Sequence, residues 1–423
     1  MSYLQIIFTI LIVLWGFFTI ALLYQMFFVV SGVFVKRRFP KTEEKLRYAI
    51  MIGARNEQAV IGRLLDSIAK SNYPKDKLTV FVIAHNCTDD TAKIAREKGA
   101  VVYEYDNPKE CTLGYAYKEL IRRINEDYGW QAFDGIFSIN ADNVIPPEYF
   151  SLMNDAFVAC GKDTIITSFR NSSNFADNYM SRLYGMYFAA CCRYEMRGRA
   201  FFDCSTRISG TGYVFPSEII KDGWEYVTLT EDWEFTSDQV SEGKKIIYCD
   251  EAEFFDEQPL TIPVMMRQRL RWARGHTIVF FTRFKKLFKS IFTREKRTLS
   301  QRMSTYDATM CILPLGAIGF IMNFLTLILV ALSPLFGYDA LTVWRSYLVY
   351  SATFTAVSYV LTALSGLILL ILERKRVPRL GIRYLGAILL WPFFNLLTAL
   401  LDFVSLFTKN LQWKQIPHKG SEK

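Results

Sequence analysis

Long apolar runs flank a polar central block in this chain. The first run, Leu4–Val35, carries no charge and exceeds the roughly 20 residues that a helix needs to cross a bilayer. Three more runs follow the block: Ala308–Phe336, Ser346–Leu372 and Tyr384–Phe407. The first run is too long for the apolar part of a signal peptide and lacks a basic start. The pattern therefore predicts a membrane protein with a retained N-terminal transmembrane helix.

The last run differs from the others because it contains Pro392, Asn395 and Asp402. It is predicted to be broken, tilted or packed against protein rather than lipid. Basic residues follow the first run and lie between the last two, which places the polar block in the cytoplasm. Four full crossings would then put the lysine-rich tail 409–423 outside, against the same rule. Either the tail breaks the trend or the last segment does not cross fully.

Inside the polar block, strand and helix patterns alternate. Short apolar strands are predicted at Tyr48–Ile52, Leu78–Ile83, Val101–Tyr105 and Ile136–Ile139, with helical spacing between them. Such repeats predict an α/β fold with a mostly parallel sheet and helices on both faces. Ligands bind such sheets at the carboxyl ends of the strands.

Further along, from Phe280 to Phe292, aromatic and aliphatic residues recur at helical spacing opposite a basic face. This pattern predicts a helix in the membrane interface, in contact with lipid headgroups, and a core helix is the alternative. The predicted domains are an N-terminal transmembrane helix at 1–36, a cytoplasmic α/β domain at 37–276, an interface helix region at 277–304, transmembrane helices at 305–408 and a tail at 409–423.

Composition narrows the classes of function. The net charge of +9 lies largely beside the apolar runs, where anionic headgroups account for it, so nucleic-acid binding is not expected. Eight cysteines form no Cys-x-x-Cys pair. Reduced thiols without a zinc framework are therefore expected.

Three short segments carry candidate chemistry. Asp142 follows the strand that ends near Ile139 and suits a divalent cation bridging a diphosphate, although an ordinary turn explains it equally. Gly210-Thr211-Gly212 would let the backbone approach a ligand, with a tight turn as the alternative. Asp232, in Thr230-Glu231-Asp232, could deprotonate a hydroxyl, or it or Thr230 could serve only as a helix N-cap.

The segment Gln268-Arg269-Leu270-Arg271-Trp272 combines two guanidinium groups with an indole. Arginine suits bidentate phosphate contact, and an indole can stack on a sugar. Because Arg269 and Arg271 flank Leu270, one can face a ligand while the other faces a carboxylate or the membrane surface.

These motifs, in this order, resemble family 2 glycosyltransferases of the processive, membrane-integrated kind. That group includes the synthases of cellulose, chitin, hyaluronan and poly-N-acetylglucosamine. The resemblance covers roughly residues 48–275 and the flanking apolar runs. It implies a GT-A fold, a nucleotide-diphosphate sugar donor such as a UDP-sugar, Mg²⁺ or Mn²⁺, and inversion at the anomeric carbon. The product would be a growing β-linked polysaccharide at the plasma membrane.

Site roles follow from the resemblance one residue at a time. Asp232, beside Glu231, matches the general base, and Asp142 matches the metal-binding acid. The donor positions are Ala54, Asn56, Glu57, Asn86, Asp89, Asn140, Arg269 and Arg271. The acceptor positions are Gly210, Thr211, Gly212, Gln268 and Trp272.

Three positions depart from the family pattern: His85 and Asn140 each stand where an acid is common, and Leu113 where a lysine is common. The changes could alter donor choice, weaken metal binding or reduce activity. Few spans remain to line a polymer channel, which favours a homo-oligomer, an export partner, or single addition to a lipid-linked acceptor. A non-catalytic relative that binds a nucleotide or a partner is the third alternative.

Overall fold

A seven-stranded sheet forms the centre of the polar block in the computed structural model, which describes residues 3–408. The strand order is β3-β2-β1-β4-β6-β5-β7, and only β6 runs against the others. The strands are β1 (Tyr48–Ala54), β2 (Leu78–His85), β3 (Val101–Tyr105), β4 (Gly135–Ser138), β5 (Ile165–Ser172), β6 (Tyr213–Pro216) and β7 (Ile246–Asp256). The predicted α/β fold with a mostly parallel sheet is thus confirmed.

Fourteen α-helices are described between residues 3 and 408. They are α1 (Tyr3–Leu22), α2 (Tyr24–Phe34), α3 (Ile61–Ala69), α4 (Thr91–Glu97), α5 (Leu113–Asp127), α6 (Tyr149–Ala159), α7 (Tyr179–Ala190), α8 (Arg197–Phe201), α9 (Glu231–Ser241), α10 (Ile262–Ile291), α11 (Leu299–Cys311), α12 (Leu315–Leu332), α13 (Ala340–Leu372) and α14 (Leu385–Phe407). A π-helical segment, Cys191–Met196, joins α7 to α8.

Two hydrophobic layers cover the sheet. On one face, α3 and α6 pack against the strands, and on the other face α5 and α9 do so. Helix α3 buries Ile61, Leu64, Leu65 and Ile68, which recur at three- and four-residue intervals. This arrangement leaves the carboxyl ends of β1, β2 and β4 as a shared edge where polar loops meet.

The apolar runs form helices as expected. Within residues 3–408, four stretches are long and apolar enough to cross a membrane: Thr9–Phe34, Leu315–Phe336, Ala340–Leu372 and Ile382–Phe407. The last one is a continuous helix despite Pro392. It is therefore not broken, and one of its sides packs against protein, as the sequence suggested. The predicted tail 409–423 lies outside the described residues.

The proposed boundary at residue 276/277 falls inside a helix, because α10 continues from Ile262 to Ile291. The basic face predicted for the helix from Phe280 to Phe292 forms ion pairs with α9 of the α/β domain. Arg283 pairs with Glu234 at 2.6 Å, and Lys286 pairs with Asp238 at 3.0 Å. Phe281, Phe288 and the following Phe292 remain exposed, so the second half of α10 joins the α/β domain on one side and presents aromatic rings on another.

Candidate active site

A cavity of about 230 Å³ opens at the carboxyl edge of the sheet. Loops after β1, β2 and β4 form one wall, and α9 and α10 form the opposite wall. Ten of the residues predicted as functional line it: Ala54, Glu57, Asn140, Asp142, Gly210, Glu231, Asp232, Gln268, Arg271 and Trp272. The sheet thus brings together motifs that lie more than two hundred residues apart in the sequence.

Asp232 lies buried at the start of α9, in the cavity wall. Burial raises the pKa of its carboxyl group, while the Trp233 backbone N–H and then Arg271, Arg207 and Arg170 act to lower it. The neighbouring Glu231 is also buried, and burial together with the charge of Asp232 raises its pKa to about 8. Since three guanidinium groups act on Asp232, the arrangement favours an ionised Asp232 beside a protonated Glu231.

The alternative of a plain helix cap is not supported for Thr230. It occupies the N-cap position of α9 but makes no side-chain capping hydrogen bond. Its hydroxyl is buried and has no hydrogen-bond partner among the described residues. Instead its side chain fills the space next to Gly275 of α10, where a methyl group could not fit.

One helix supplies Gln268, Arg271 and Trp272. Positions three and four apart share a helix face, which explains why these three side chains line the cavity together. Trp272 meets Tyr184 and Phe188 edge-on, with ring centroids 6.3 and 6.2 Å apart. The buried side-chain oxygen of Gln268 has no hydrogen-bond partner in the described part of the chain, so it is available to a ligand hydroxyl.

Arg269 does not agree with its predicted donor-binding role. It projects from the other side of α10, where it donates a 3.0 Å hydrogen bond to the Phe394 carbonyl and another to Thr398 of α14. Its guanidinium also lies 4.0 Å from the centroid of the Phe394 ring. Successive residues of an α-helix are about 100° apart around its axis, so Arg269 lies on nearly the opposite side of α10 from Arg271. Its contacts with Phe394 and Thr398 anchor α10 to α14.

Three predicted donor residues organise loops instead of lining the cavity. Asn56 adopts a φ of 56° and accepts a 2.7 Å hydrogen bond from the Thr88 N–H. Asn86, with a φ of 53°, accepts one of 2.7 Å from Asn107. Asp89 accepts from the backbone N–H of Gln58 and of Thr91. They hold the loops after β1 and β2 together and so support the cavity wall that these loops form.

The predicted acceptor loop divides in a similar way. Gly210 lines the cavity, but Thr211 and Gly212 do not. Thr211 accepts a 2.9 Å hydrogen bond from the Asn140 N–H and donates to Asn143. Gly212 has a φ of 70° and abuts the Phe254 ring. These two residues fix the loop that carries Asn140 and Asp142.

His85 and Leu113, two of the three positions that depart from the family pattern, both line the cavity. The Asn86 side-chain amide lies 3.1 Å from the His85 ring nitrogen Nε2, and the ring stacks on Tyr105. Burial lowers the pKa of His85. The ring is therefore neutral and offers no negative charge to a nucleobase.

Several acids gather near Asp142, which is the candidate metal ligand. Burial, followed by the charges of Asp142, Asp89 and Glu257, raises the pKa of Glu57 to about 9. No group of three or more potential metal-binding side chains occurs within residues 3–408. A divalent cation commonly takes one or two carboxylates plus phosphate oxygens, so Asp142 fits a cation whose other ligands come from a bound diphosphate.

Sequence reasoning missed part of the cavity. Asp256 and Glu257 lie at the carboxyl end of β7, a position that the rule applied to Asp142 would have identified. Arg170 pairs with Asp256 at 2.8 Å, and Arg207 pairs with Glu195 at 2.6 Å. No local signal marks these arginines. His276 is neutral because burial, followed by the charge of Arg207, lowers its pKa to about 3.

Comparison with known proteins decides the family. The profile of glycosyltransferase-like family 2 matches residues 46–275, more than half of the chain. The chain belongs to this glycosyltransferase family. Its α/β domain has the expected GT-A fold.

Relatives of this glycosyltransferase include a probable glycosyltransferase, YdaM, of Bacillus subtilis, with 28% identity over 64% of this chain and 66% of the relative. The poly-β-1,6-N-acetyl-D-glucosamine synthase of Staphylococcus epidermidis is 23% identical over 59% of this chain and 60% of its own length. The chain thus spans less than two thirds of these relatives.

Among solved structures, the mannosyltransferase PcManGT from Pyrobaculum calidifontis, in complex with GDP-Man and Mn²⁺, aligns with a TM-score of 0.59 and 14% identity. The alignment covers 94% of this chain and 98% of that protein. The likeness supports a shared fold.

Proposed function

We propose that this enzyme transfers a sugar from a nucleotide-diphosphate sugar to a growing β-linked polysaccharide at the plasma membrane, with inversion at the anomeric carbon. The proposed donor is a UDP-sugar. The observation that carries the proposal is the meeting of Asp232, Arg271 and Trp272 in one cavity at the carboxyl edge of the sheet. Basic residues after the first span favour a cytoplasmic catalytic domain in a multi-pass protein.

Asp232 serves as the general base in this proposal. Its carboxylate takes the proton of an acceptor hydroxyl while that oxygen attacks the anomeric carbon from the face opposite the diphosphate. The new glycosidic bond forms as the bond to the diphosphate breaks, and the nucleoside diphosphate leaves. Inversion of an α-linked donor gives a β-linkage. Glu231 remains protonated and adds no second negative charge beside the base.

Charge on the leaving diphosphate is balanced from two sides. Arg271 faces the cavity from α10, and the half-buried Arg170 and Arg207 also line it. Asp142 would hold Mg²⁺ or Mn²⁺, which when bound neutralises a developing diphosphate charge. The donor wall is formed by Ala54, Glu57, His85 and Asn140, and the acceptor sugar stacks on Trp272 within reach of Gln268.

Single addition to a lipid-linked acceptor is the second candidate. It is favoured by the cavity lining, since the residues of α12, α13 and α14 contribute nothing to that wall. A polymer would then need a path supplied by a homo-oligomer or an export partner. The two candidates share the same chemistry at Asp232 and differ in product length.

The test uses the full-length protein in nanodiscs with Mn²⁺ or Mg²⁺ and a panel of UDP- and GDP-sugars. Nucleotide release and product mass are measured for the wild type and for Asp232→Asn. Loss of the base should lower turnover by about 10²–10⁴-fold and leave nucleotide binding intact. Asp238→Asn is the matched control, because Asp238 lies on the same helix outside the cavity.

Growing products support the polysaccharide synthase, and products with a single added sugar support the second candidate. Near-normal turnover by Asp232→Asn would overturn the role of Asp232. Failure to release nucleotide from every donor, in the presence of membrane lipids and sugar acceptors, would contradict both candidates.

A further inference from the structure

Both ends of α14 contact the catalytic domain. Near its start, Gly386 packs against the Tyr179 ring at the beginning of α7. Near its end, the Ser405 hydroxyl lies 2.7 Å from the Thr277 hydroxyl of α10, and Arg274 donates to the Ser405 carbonyl. Helices α7 and α10 belong to the polar block, so the two ends of α14 lie on the same side of the membrane.

The middle of α14 follows the same surface. Phe394 packs edge-on against Tyr184 of α7 at 5.4 Å, and Arg269 of α10 bonds to the Phe394 carbonyl. The helix has 23 residues, which at 1.5 Å per residue gives a length of about 34 Å. Upright, it would span a hydrocarbon core of about 30 Å, and its two ends could not both reach the catalytic domain.

The neighbouring spans support a tilted or in-plane position. Gly316, in the first turn of α12, lies so close to α14 that an added methyl group would meet the Ala399 Cα atom at 2.6 Å. This turn directly follows α11, whose Thr305 bonds to the Val240 carbonyl of the catalytic domain. The late residues of α14 therefore lie beside the end of α12 nearest that domain.

Contacts between α14 and α13 point the same way. Tyr359 donates a 3.0 Å hydrogen bond to the Leu389 carbonyl, and Gly366 packs against Trp391. Both belong to the part of α13 that leads back to the catalytic domain. Residues 348–357, which a crossing α14 would cover with its last turns, include the exposed side chains of Leu348, Val349, Tyr350, Phe354 and Val357.

One stripe of exposed apolar side chains runs the whole length of α14. It consists of Leu385, Leu389, Phe393, Leu396, Leu400, Val404 and Phe407, all exposed. The segment before the helix exposes Arg379 and Arg383 around Ile382. An apolar stripe with basic residues at one end suits insertion between anionic headgroups and acyl chains.

We propose that α14 lies in the membrane interface on the side of the catalytic domain and does not cross, with lipid as the occupant of its apolar stripe. The chain then crosses three times, through the N-terminal helix, α12 and α13. The end of α14 stays on the side of the catalytic domain, where the lysines that follow it obey the positive-inside rule. Helix α14 also holds α10 at the membrane surface through Arg269, which places Trp272 close to the lipid plane.

Depth measurements test this position directly. Leu389→Cys and Leu400→Cys are each spin-labelled in the full chain in nanodiscs, with the labelled wild type as the background for native cysteines. The two sites are eleven residues apart, so an upright helix separates their depths by about 16 Å. Depths that agree within a few ångströms support the interfacial position, whereas a difference near 16 Å overturns it.

Protease protection gives an independent readout. An epitope tag at the C-terminus and, in a second protein, a tag after Tyr338 in the loop between α12 and α13 are compared in sealed inside-out vesicles. We expect protease to remove the C-terminal tag together with the catalytic domain and to spare the tag after Tyr338. Protection of the C-terminal tag while the catalytic domain is digested would show that α14 crosses.

Discussion

Arg271 donates a 3.0 Å hydrogen bond to the carbonyl oxygen of Leu229. This bond ties α10 to the loop that leads directly into Thr230, Glu231 and Asp232. The residue that faces the leaving diphosphate in our proposal thus also fixes the position of the general base. A change at Arg271 should therefore affect chemistry more than folding.

Arg269 and Arg271 form a natural pair for comparison, because they lie on one helix and face different partners. Arg271→Lys keeps the charge but loses the planar geometry, and we expect kcat/KM to fall by about ten- to a hundredfold with little change in Tm. Arg269→Lys weakens buried contacts with α14, so we expect Tm to fall by several degrees. Thermal unfolding and nucleotide release are measured on both variants. The prediction is contradicted if the two variants show the same fall in kcat/KM and the same fall in Tm.

Glu231 is expected to be protonated in the folded enzyme, with a pKa raised from 4.5 to about 8. The folded state then binds a proton more tightly than the unfolded chain, so stability falls as pH rises from about 4.5 to about 8. Glu231→Gln mimics the protonated acid and should flatten the dependence of Tm on pH in that window. It should also retain activity at neutral pH.

The same comparison distinguishes the two acids. Asp232→Asn removes the base and should lose about 10²–10⁴-fold of the turnover at every pH, whereas Glu231→Gln should turn over. Thermal melts between pH 5 and pH 8, with activity assays alongside, provide the measurement. An inactive but folded Glu231→Gln would assign the base role to Glu231.

Gly275 allows α10 to approach the catalytic loop. A methyl group there would collide with the Thr230 side chain, so Gly275→Ala should displace Thr230 and the adjoining acids. We expect turnover to fall at least about tenfold, because small misplacement of catalytic groups is costly. Thr230→Ala in the same protein should restore part of the rate, and a rate unchanged by Gly275→Ala would show that the loop tolerates the shift.

Asp142 should govern the need for a divalent cation. Removal of metal by a chelator is expected to stop turnover, and added Mn²⁺ should restore it. Asp142→Asn should raise the Mn²⁺ concentration for half-maximal activity by at least about tenfold, since a carboxylate ligand is lost. Asp66→Asn, which changes only a surface pair with Lys98, is the control. A Mn²⁺ dependence that is the same in Asp142→Asn and the wild type would remove Asp142 from the metal site.

Local pattern was sufficient for most elements. Val101–Tyr105 forms the predicted strand with the same bounds, and the other three predicted strands agree within two residues. Local pattern does not fix where a helix starts: α3 begins only at Ile61, seven residues after the end of β1. The residues before it form a loop in which Asn56 has a left-handed backbone, and such loops depend on distant partners such as Thr88.

The chemistry of the site could be predicted only in part. Asp232, Asp142, Gln268, Arg271 and Trp272 belong to short motifs, and all five line the cavity. Arg207 and Arg170 belong to no motif. Their charges act on the buried Asp232 only because the fold brings distant segments close to it. Arg269 shows the converse, since it belongs to the motif but faces α14.

By itself, the sequence determined which segments are apolar enough for a membrane, where strands and helices alternate, and which residue types could bind a diphosphate and remove a proton. These properties depend on periodicity and on side-chain chemistry, which are local. Only the tertiary structure decided which face of α10 meets the cavity, how three arginines surround Asp232, and that both ends of α14 reach the catalytic domain. Those features depend on the relative placement of elements far apart in the chain, and packing and burial set that placement.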